Sequence, residues 1–281
     1  MTLEQWQKFW FKTLEGEYTH QESRSLLLMA LADRLNWSAI DLVNRKDTEL
    51  PPREIEWLDS VLIRLNNRTP IQQILGYVWF CNHKFIVTSD VLIPRPETEE
   101  LVVLLQQRFN NKEIADALDI GTGSGCIALS MAQSMPQTQW YAWDISARAL
   151  EVAKRNQKIV KQQVNWQNQD VFQHWPSQTY DLIVSNPPYI PQNELPDMDA
   201  NVVEHEPHQA LFVPDDEPLK FYHRILNQGF VHLNPKGSLY FECHFKFVTL
   251  VEIAMHETGF IDIKKWKDQW GKWRFVTGVK P

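Results

Sequence analysis

Cysteine is scarce in this chain. Cys81, Cys126 and Cys243 are the only three in 281 residues, far apart and with no CxxC pair. That spacing argues against a disulfide framework and against a structural zinc site. A long apolar run is missing as well. The longest, Leu26 to Ala32, is far too short to span a bilayer. The first residues carry Glu4, Lys8 and Lys12 among their apolar neighbours, unlike a secretory signal, so the cytoplasm is the expected compartment and no membrane partner is expected. There is no basic excess either. Lys and Arg number 28 against 35 Asp and Glu, a net charge of −7, whereas a dedicated nucleic-acid binder usually shows a basic stripe. What is present is a hydrophobic fraction of 43% with 22% charged residues. This is the composition of a soluble globular protein with room for two domains.

Glycine is thin overall, but three of the 10 fall within five positions, at Gly121, Gly123 and Gly125. They follow the apolar run Ala117-Leu118-Asp119-Ile120 and precede a helical stripe of Ile127, Met131 and Met135. Strand, glycine loop and helix are how a fold lets its backbone approach a nucleotide cofactor. A dinucleotide fingerprint needs G-x-G-x-x-G. Here Cys126 holds the last position and the spacing is G-x-G-x-G, a variant typical of S-adenosylmethionine binders. Gly121, Thr122, Gly123, Ser124 and Gly125 are therefore candidate cofactor residues. The next strand, Gln139 to Asp144, ends in an acid about 20 residues on. Asp144 suits the two hydroxyls of a ribose, an NAD ribose included, or a cap on the helix 147–160. A third short strand, 164–169, runs into Asp170-Val171. Asp170 is a candidate for an adenine amino group and Val171 or Phe172 for the ring face, with a plain loop aspartate as the alternative.

The fourth strand, Asp181-Leu182-Ile183-Val184-Ser185, runs straight into Asn186-Pro187-Pro188-Tyr189-Ile190. Proline disfavours a helical conformation in the residue before it and fixes its own φ, so Asn186 should be extended. The prolines offer carbonyls and no N–H. The Asn186 side chain and the Pro187 carbonyl form a stiff ledge of acceptors beside the Tyr189 ring, suited to a planar group bearing an NH2. Docking motifs of the N-P-x-Y kind and polyproline ligands need exposed, flexible segments, and this one ends a core strand. Catalytic candidates are thus Asn186, Pro187 and Tyr189. Asn186, Pro187, Pro188 and Tyr189 are the substrate candidates, with Asn186 also at the cofactor.

Residues 1–68 read as helices throughout, including 25–35 and 53–65, with a stripe of Leu3, Trp6, Phe9 and Trp10 in the first. Ile74, Tyr77, Trp79 and Phe80, then Phe85 to Val87, read as two strands around a turn at Asn82-His83. Pro94 to Glu99 stops the strand and opens a helix whose acids suit its dipole. The segment 191–218, rich in Pro, Asp and Glu, is long for a connection and suggests a lid or a substrate-binding element. It holds Glu204, His205, Glu206 and His208, but their spacing matches no helical zinc motif, and no metal is expected. Helices at 219–233 and 248–256, with strands at 238–242, 260–266 and 274–279, complete the alternation.

Five stretches together resemble the release factor glutamine methyltransferases (the PrmC/HemK family). They are Pro70 to Gly76, Leu92 to Glu99, Asp119 to Gly125, Val184 to Ile190, and Glu206-Pro207 before Ala210-Leu211. The resemblance implies an α/β fold, a Rossmann-like class I methyltransferase sheet with a small all-helical N-terminal domain joined by a β-hairpin. Its domains would be 1–68 for substrate recognition, 69–93 as the β-hairpin linker, and 94–281 as the S-adenosylmethionine-dependent methyltransferase. It implies methyl transfer from S-adenosyl-L-methionine to the side-chain amide of the glutamine in the Gly-Gly-Gln loop of class 1 peptide-chain release factors. A monomer without direct nucleic-acid contact is expected. An adenine-N6 nucleic-acid methyltransferase is the alternative, because adenine offers the same planar NH2 once flipped from a duplex. The chain departs from the family pattern at Glu242 to Phe247 and at Pro214 to Pro218.

Overall fold

The computed structural model describes residues 1–110 and 112–281. Backbone contacts divide it into two units. One comprises Met1–Gly76 with Asp199–His205, the other Tyr77–Met198 with Glu206–Pro281.

The first unit is built from α1 (Leu3–Leu14), α2 (His20–Leu35), α3 (Ala39–Asn44), α4 (Pro52–Asn66) and α5 (Ile71–Leu75). Thr2 and Thr19 cap the first two helices, each closing a reciprocal box with a Gln or Glu three residues on, which satisfies otherwise orphaned N–H groups. Leu3, Trp6, Trp10 and Leu14 recur at helical spacing and are fully buried against Leu27, Leu31, Leu58, Leu62 and Leu65. The Trp10 indole donates to the Ser23 carbonyl at 2.9 Å, so its polar edge is satisfied as well as its ring. The expected strand around Ile74 is instead the short α5. Pro70 precedes it and Gly76, at φ +82°, ends it.

In the second unit β1 (Tyr77–Phe80) pairs antiparallel with β2 (His83–Ile86). The turn falls one residue earlier than expected, at Cys81-Asn82. Both have positive φ, 46° and 64°, the left-handed pair that matches the twist of a two-residue hairpin. Next come α6 (Pro96–Phe109), β3 (Asp116–Ile120), α7 (Cys126–Ser134), β4 (Gln139–Asp144), α8 (Ala147–Val160), β5 (Asn165–Asn168) and β6 (Tyr180–Ser185). The segment expected to be a long loop carries structure of its own. It holds β7 (Ile190–Pro191), a 3-10 turn Gln192–Asp197, α9 (Ala200–His205), α10 (His208–Leu211) and β8 (Phe212–Val213), with β7 and β8 paired in parallel. The chain closes with α11 (Lys220–His232), β9 (Leu233–Glu242), α12 (Val248–Thr258), β10 (Ile261–Lys267) and β11 (Trp273–Val279).

Seven strands form the main sheet in the order β10-β11-β9-β6-β3-β4-β5. The five from β9 to β5 run parallel; β11 runs antiparallel to β9, and β10 pairs antiparallel with β11. Successive side chains on a strand alternate between faces. Ala117, Leu182, Val184 and Tyr240 accordingly bury against α6 and α7, while Leu118, Ile120, Ile183 and Phe241 bury against α11 and α12. From β3 the chain steps outward to β4 and β5, then returns to place β6 on the other side of β3. This is a topological switch point, where open α/β sheets bind ligands at the carboxyl ends of their strands. Among the described residues, no helix is long and apolar enough to cross a membrane.

Candidate functional site

A cavity of about 260 Å³ opens at that switch point. Its walls come from the ends of four neighbouring strands: Gly121 and Gly123 after β3, Asp144 and Ile145 after β4, Asp170 to Phe172 after β5, and Asn186 to Pro188 after β6. Of the residues singled out from sequence, Gly121, Gly123, Asp144, Asp170, Val171, Asn186, Pro187 and Pro188 line it. Thr122, Ser124, Gly125 and Tyr189 do not.

These four have other work. The Thr122 hydroxyl donates to buried Asp119 at 2.6 Å. The Ser124 carbonyl accepts from Asn156 at 2.9 Å. Gly125 starts α7 at φ +80°, where a Cβ would stand 2.8 Å from Trp166 Cη2 and 3.2 Å from Ala153 Cβ. Any side chain there would meet both steric strain and a filled space. At Gly121 and Gly123 the opposite holds. Both have positive φ, yet a Cβ on Gly123 would meet nothing within 4 Å and one on Gly121 only the Asn186 carbonyl at 3.8 Å. Here the missing side chains leave a cradle open to the cavity.

Asp144 braces that cradle. One carboxylate oxygen accepts the Gly123 N–H and the other the Ser146 N–H, both at 2.8 Å. Ser146, not Asp144, caps α8 through the Ala149 N–H. Burial raises the pKa of Asp144 above its ordinary value, and the two N–H bonds favour its charged form. Asp119, fully buried behind the loop, is pushed up by burial to about 7. Asp170 accepts the Phe172 N–H at 2.9 Å and so folds its own loop.

The ledge has a partner that the sequence did not disclose. Asn186 Nδ2 donates to the Thr98 hydroxyl at 3.2 Å, and that hydroxyl donates to Glu242 Oε2 at 2.8 Å. The Tyr189 hydroxyl donates to Glu242 Oε1 at 3.2 Å. Asn186 therefore directs one of its amide hydrogens inward and keeps Oδ1 as its acceptor. Arg224 was also missed. Its guanidinium donates to the carbonyls of Val171, Phe172 and Gln173 at 2.8, 3.1 and 2.6 Å, fixing the loop that carries Asp170 and Val171. A polar residue at the end of a buried strand, as Glu242 is on β9, is the one sequence signal that could have flagged the first of these.

Glu206 explains two of the shared motifs together. Its buried carboxylate accepts the Ile93 N–H at 2.9 Å and pairs with Arg95. This ties the Leu92 to Glu99 segment to Pro207, and both Leu92 and Pro207 line the cavity. Glu206 is thus committed to Arg95, His205 contacts the Asn67 carbonyl at 2.9 Å and His208 packs on Phe212. Among the described residues, no three His, Cys, Asp or Glu side chains gather as a metal site. The two departures meet on one segment. His244 and Lys246 pair with Glu194 at 3.3 and 2.8 Å, and Asp215 accepts the Asn193 N–H at 2.8 Å. Both therefore hold the 3-10 turn that follows the ledge.

The chain matches the Methyltransferase small domain over residues 98–210 and the PrmC N-terminal domain over residues 5–76. A release factor glutamine methyltransferase from Bacteroides thetaiotaomicron is 40% identical over 95% of this chain and 96% of its own length. One from Flavobacterium psychrophilum is 35% identical over 86% of each. Among solved structures, a Pyrococcus furiosus methyltransferase superposes with a TM-score of 0.52 at 20% identity, covering 70% of this chain and 89% of its own. That likeness concerns the fold, a mostly parallel class I methyltransferase sheet. Two sequence matches of this extent, with both domain descriptions, place the chain in the release factor glutamine methyltransferase family.

Proposed function

We propose that this protein methylates the side-chain amide nitrogen of the glutamine in the Gly-Gly-Gln loop of class 1 peptide-chain release factors, with S-adenosyl-L-methionine as donor. The observation that carries the proposal is the Asn186 ledge, with Nδ2 committed to Thr98 and Oδ1 left to accept. Family membership sets the substrate class.

The donor fits the cavity walls. The side-chain-free cradle at Gly121 and Gly123 takes a close-lying ligand, Asp144 suits ribose hydroxyls, and Asp170 with Val171 suits an adenine edge and face. When bound, S-adenosylmethionine supplies an electrophilic methyl group. The residues must make a poor nucleophile ready, because an amide lone pair is delocalised into its carbonyl. Asn186 Oδ1 and the Pro187 carbonyl would hold the two amide hydrogens and turn the lone pair toward the cofactor side. As acceptors they also stabilise the positive charge that develops on nitrogen. Alignment of this kind is worth on the order of 7–11 kcal/mol in favourable cases. The prolines at 187 and 188 limit drift of the ledge, and the Tyr189 hydroxyl bonds the same Glu242 that holds Thr98. The helical unit is assigned to recognition of the intact release factor.

The test combines labelled S-adenosylmethionine with a class 1 release factor. Label should enter the wild-type factor and not one whose Gly-Gly-Gln glutamine is replaced. Asn186→Ala should abolish transfer while leaving much of the cofactor affinity. Turnover of Asn186→Ala within a few-fold of wild type would remove the ledge mechanism. Label that nuclease releases and protease does not would favour adenine as the acceptor.

A further inference from the structure

Glu242 lies at the carboxyl end of β9, fully buried, and touches neither the cavity nor any atom that would react. A buried carboxylate is costly unless it is well bonded. This one accepts from two hydroxyls, Thr98 at 2.8 Å and Tyr189 at 3.2 Å. The direction of these bonds has a consequence. A hydroxyl has one hydrogen. Thr98 gives its hydrogen to Glu242, so its oxygen can only accept, and what it accepts is Asn186 Nδ2–H at 3.2 Å. Were Thr98 free to donate outward, the Asn186 amide could turn over and present NH2 to the cavity. A donor there would repel the substrate amide hydrogens instead of binding them.

We propose that Glu242 is the positioning residue of the transfer reaction, acting through Thr98 to fix the Asn186 amide with its oxygen toward the substrate and through Tyr189 to fix the ring. It rests on the reading of the ledge as an amide-binding site and adds the device that sets its polarity. The device needs the ionised carboxylate, because a protonated Glu242 would donate from one oxygen and break one of the two acceptances. The groups around it are Glu97 and Arg274, from α6 and β11, with Tyr189 and, from α11, Tyr222, whose hydroxyl bonds the Glu242 carbonyl. Burial pushes the Glu242 carboxyl up to about 7, against the pull of Thr98 and Arg274. The acceptor ledge is therefore held best with Glu242 ionised and weakens progressively as pH falls through about 7.

The experiment measures kcat, cofactor affinity by calorimetry and the pH profile for Glu242→Gln, Thr98→Val and Thr98→Ser, using whichever acceptor the wild-type enzyme labels. Glu242→Gln and Thr98→Val should each lower kcat by about 10²-fold, the scale for losing one preorganised polar group, with cofactor affinity unchanged. Thr98→Ser, which keeps the hydroxyl, should retain activity. The acid limb near pH 7 should vanish from residual Glu242→Gln activity. Asp119, the other carboxyl at about 7, is present in both enzymes, so the comparison isolates Glu242. Wild-type turnover in Thr98→Val would overturn the proposal, as would an equal loss in Thr98→Ser or a kcat loss matched by lost cofactor affinity. If Glu242→Gln does not fold, the two Thr98 variants decide. A labelled acceptor other than release factor glutamine would refute the substrate assignment while these variants still test the positioning.

Discussion

Asp144 has a double duty that alanine would remove in one step. It lines the cavity, where we propose that it accepts from ribose hydroxyls, and it also holds the Gly123 and Ser146 N–H groups. A hydrogen bond to a charged group is worth about 1.5–3 kcal/mol, which corresponds to roughly 10- to 100-fold in affinity. Asp144→Ala should therefore weaken S-adenosylmethionine binding by that factor, read by calorimetry. Unchanged affinity would move the ribose contact elsewhere. At this scale the sequence was legible wherever function depended on neighbours along the chain. Glycine spacing, the acid closing a strand and a carboxamide before two prolines are local patterns. Thr98 and Glu242 are 144 residues apart, and Thr98 and Asn186 are 88 apart. Nothing local links them; only the fold brings α6, β9 and the end of β6 together.

Elements show the same division. The parallel strands and their helices follow apolar periodicity, and most boundaries agree within a few residues. The hairpin turn and α5 did not, because left-handed backbone at Cys81-Asn82 and a single helical turn between Pro70 and Gly76 leave almost no periodic signal. The segment after the ledge read as loop because its elements are short and rich in proline. Yet it is fixed at several points: β7 on β8, Glu194 on His244 and Lys246, and Asn193 on Asp215. The loop after β5 depends on α11 in a comparable way. Arg224 binds three of its carbonyls, and its charge strengthens each bond. Arg224→Ala should free that loop and raise the dissociation constant for the cofactor by about tenfold, while kcat at saturating cofactor stays near wild type. A pure kcat defect would show that the loop serves transfer rather than binding.

At the scale of the whole molecule, two observations bear on recognition. Acids outnumber bases 35 to 28, whereas duplex binding and its steep salt dependence rest on clustered basic charge. The helical unit, by contrast, is a compact unit rich in packed aromatics whose first segment ends at Gly76 and which also takes in Asp199–His205, and the match to the PrmC N-terminal domain ends at residue 76 as well. If it recognises the intact release factor, its removal should separate recognition from chemistry. An enzyme lacking residues 1–76 should keep cofactor affinity and its rate on a short Gly-Gly-Gln peptide, while its KM for the whole factor rises at least tenfold. The peptide rate matters because α9 loses the partners that Asn67 and Gln73 give to His205. Retained peptide turnover certifies a folded core. Equal KM for the whole factor with and without the helices would assign recognition to the methyltransferase unit alone.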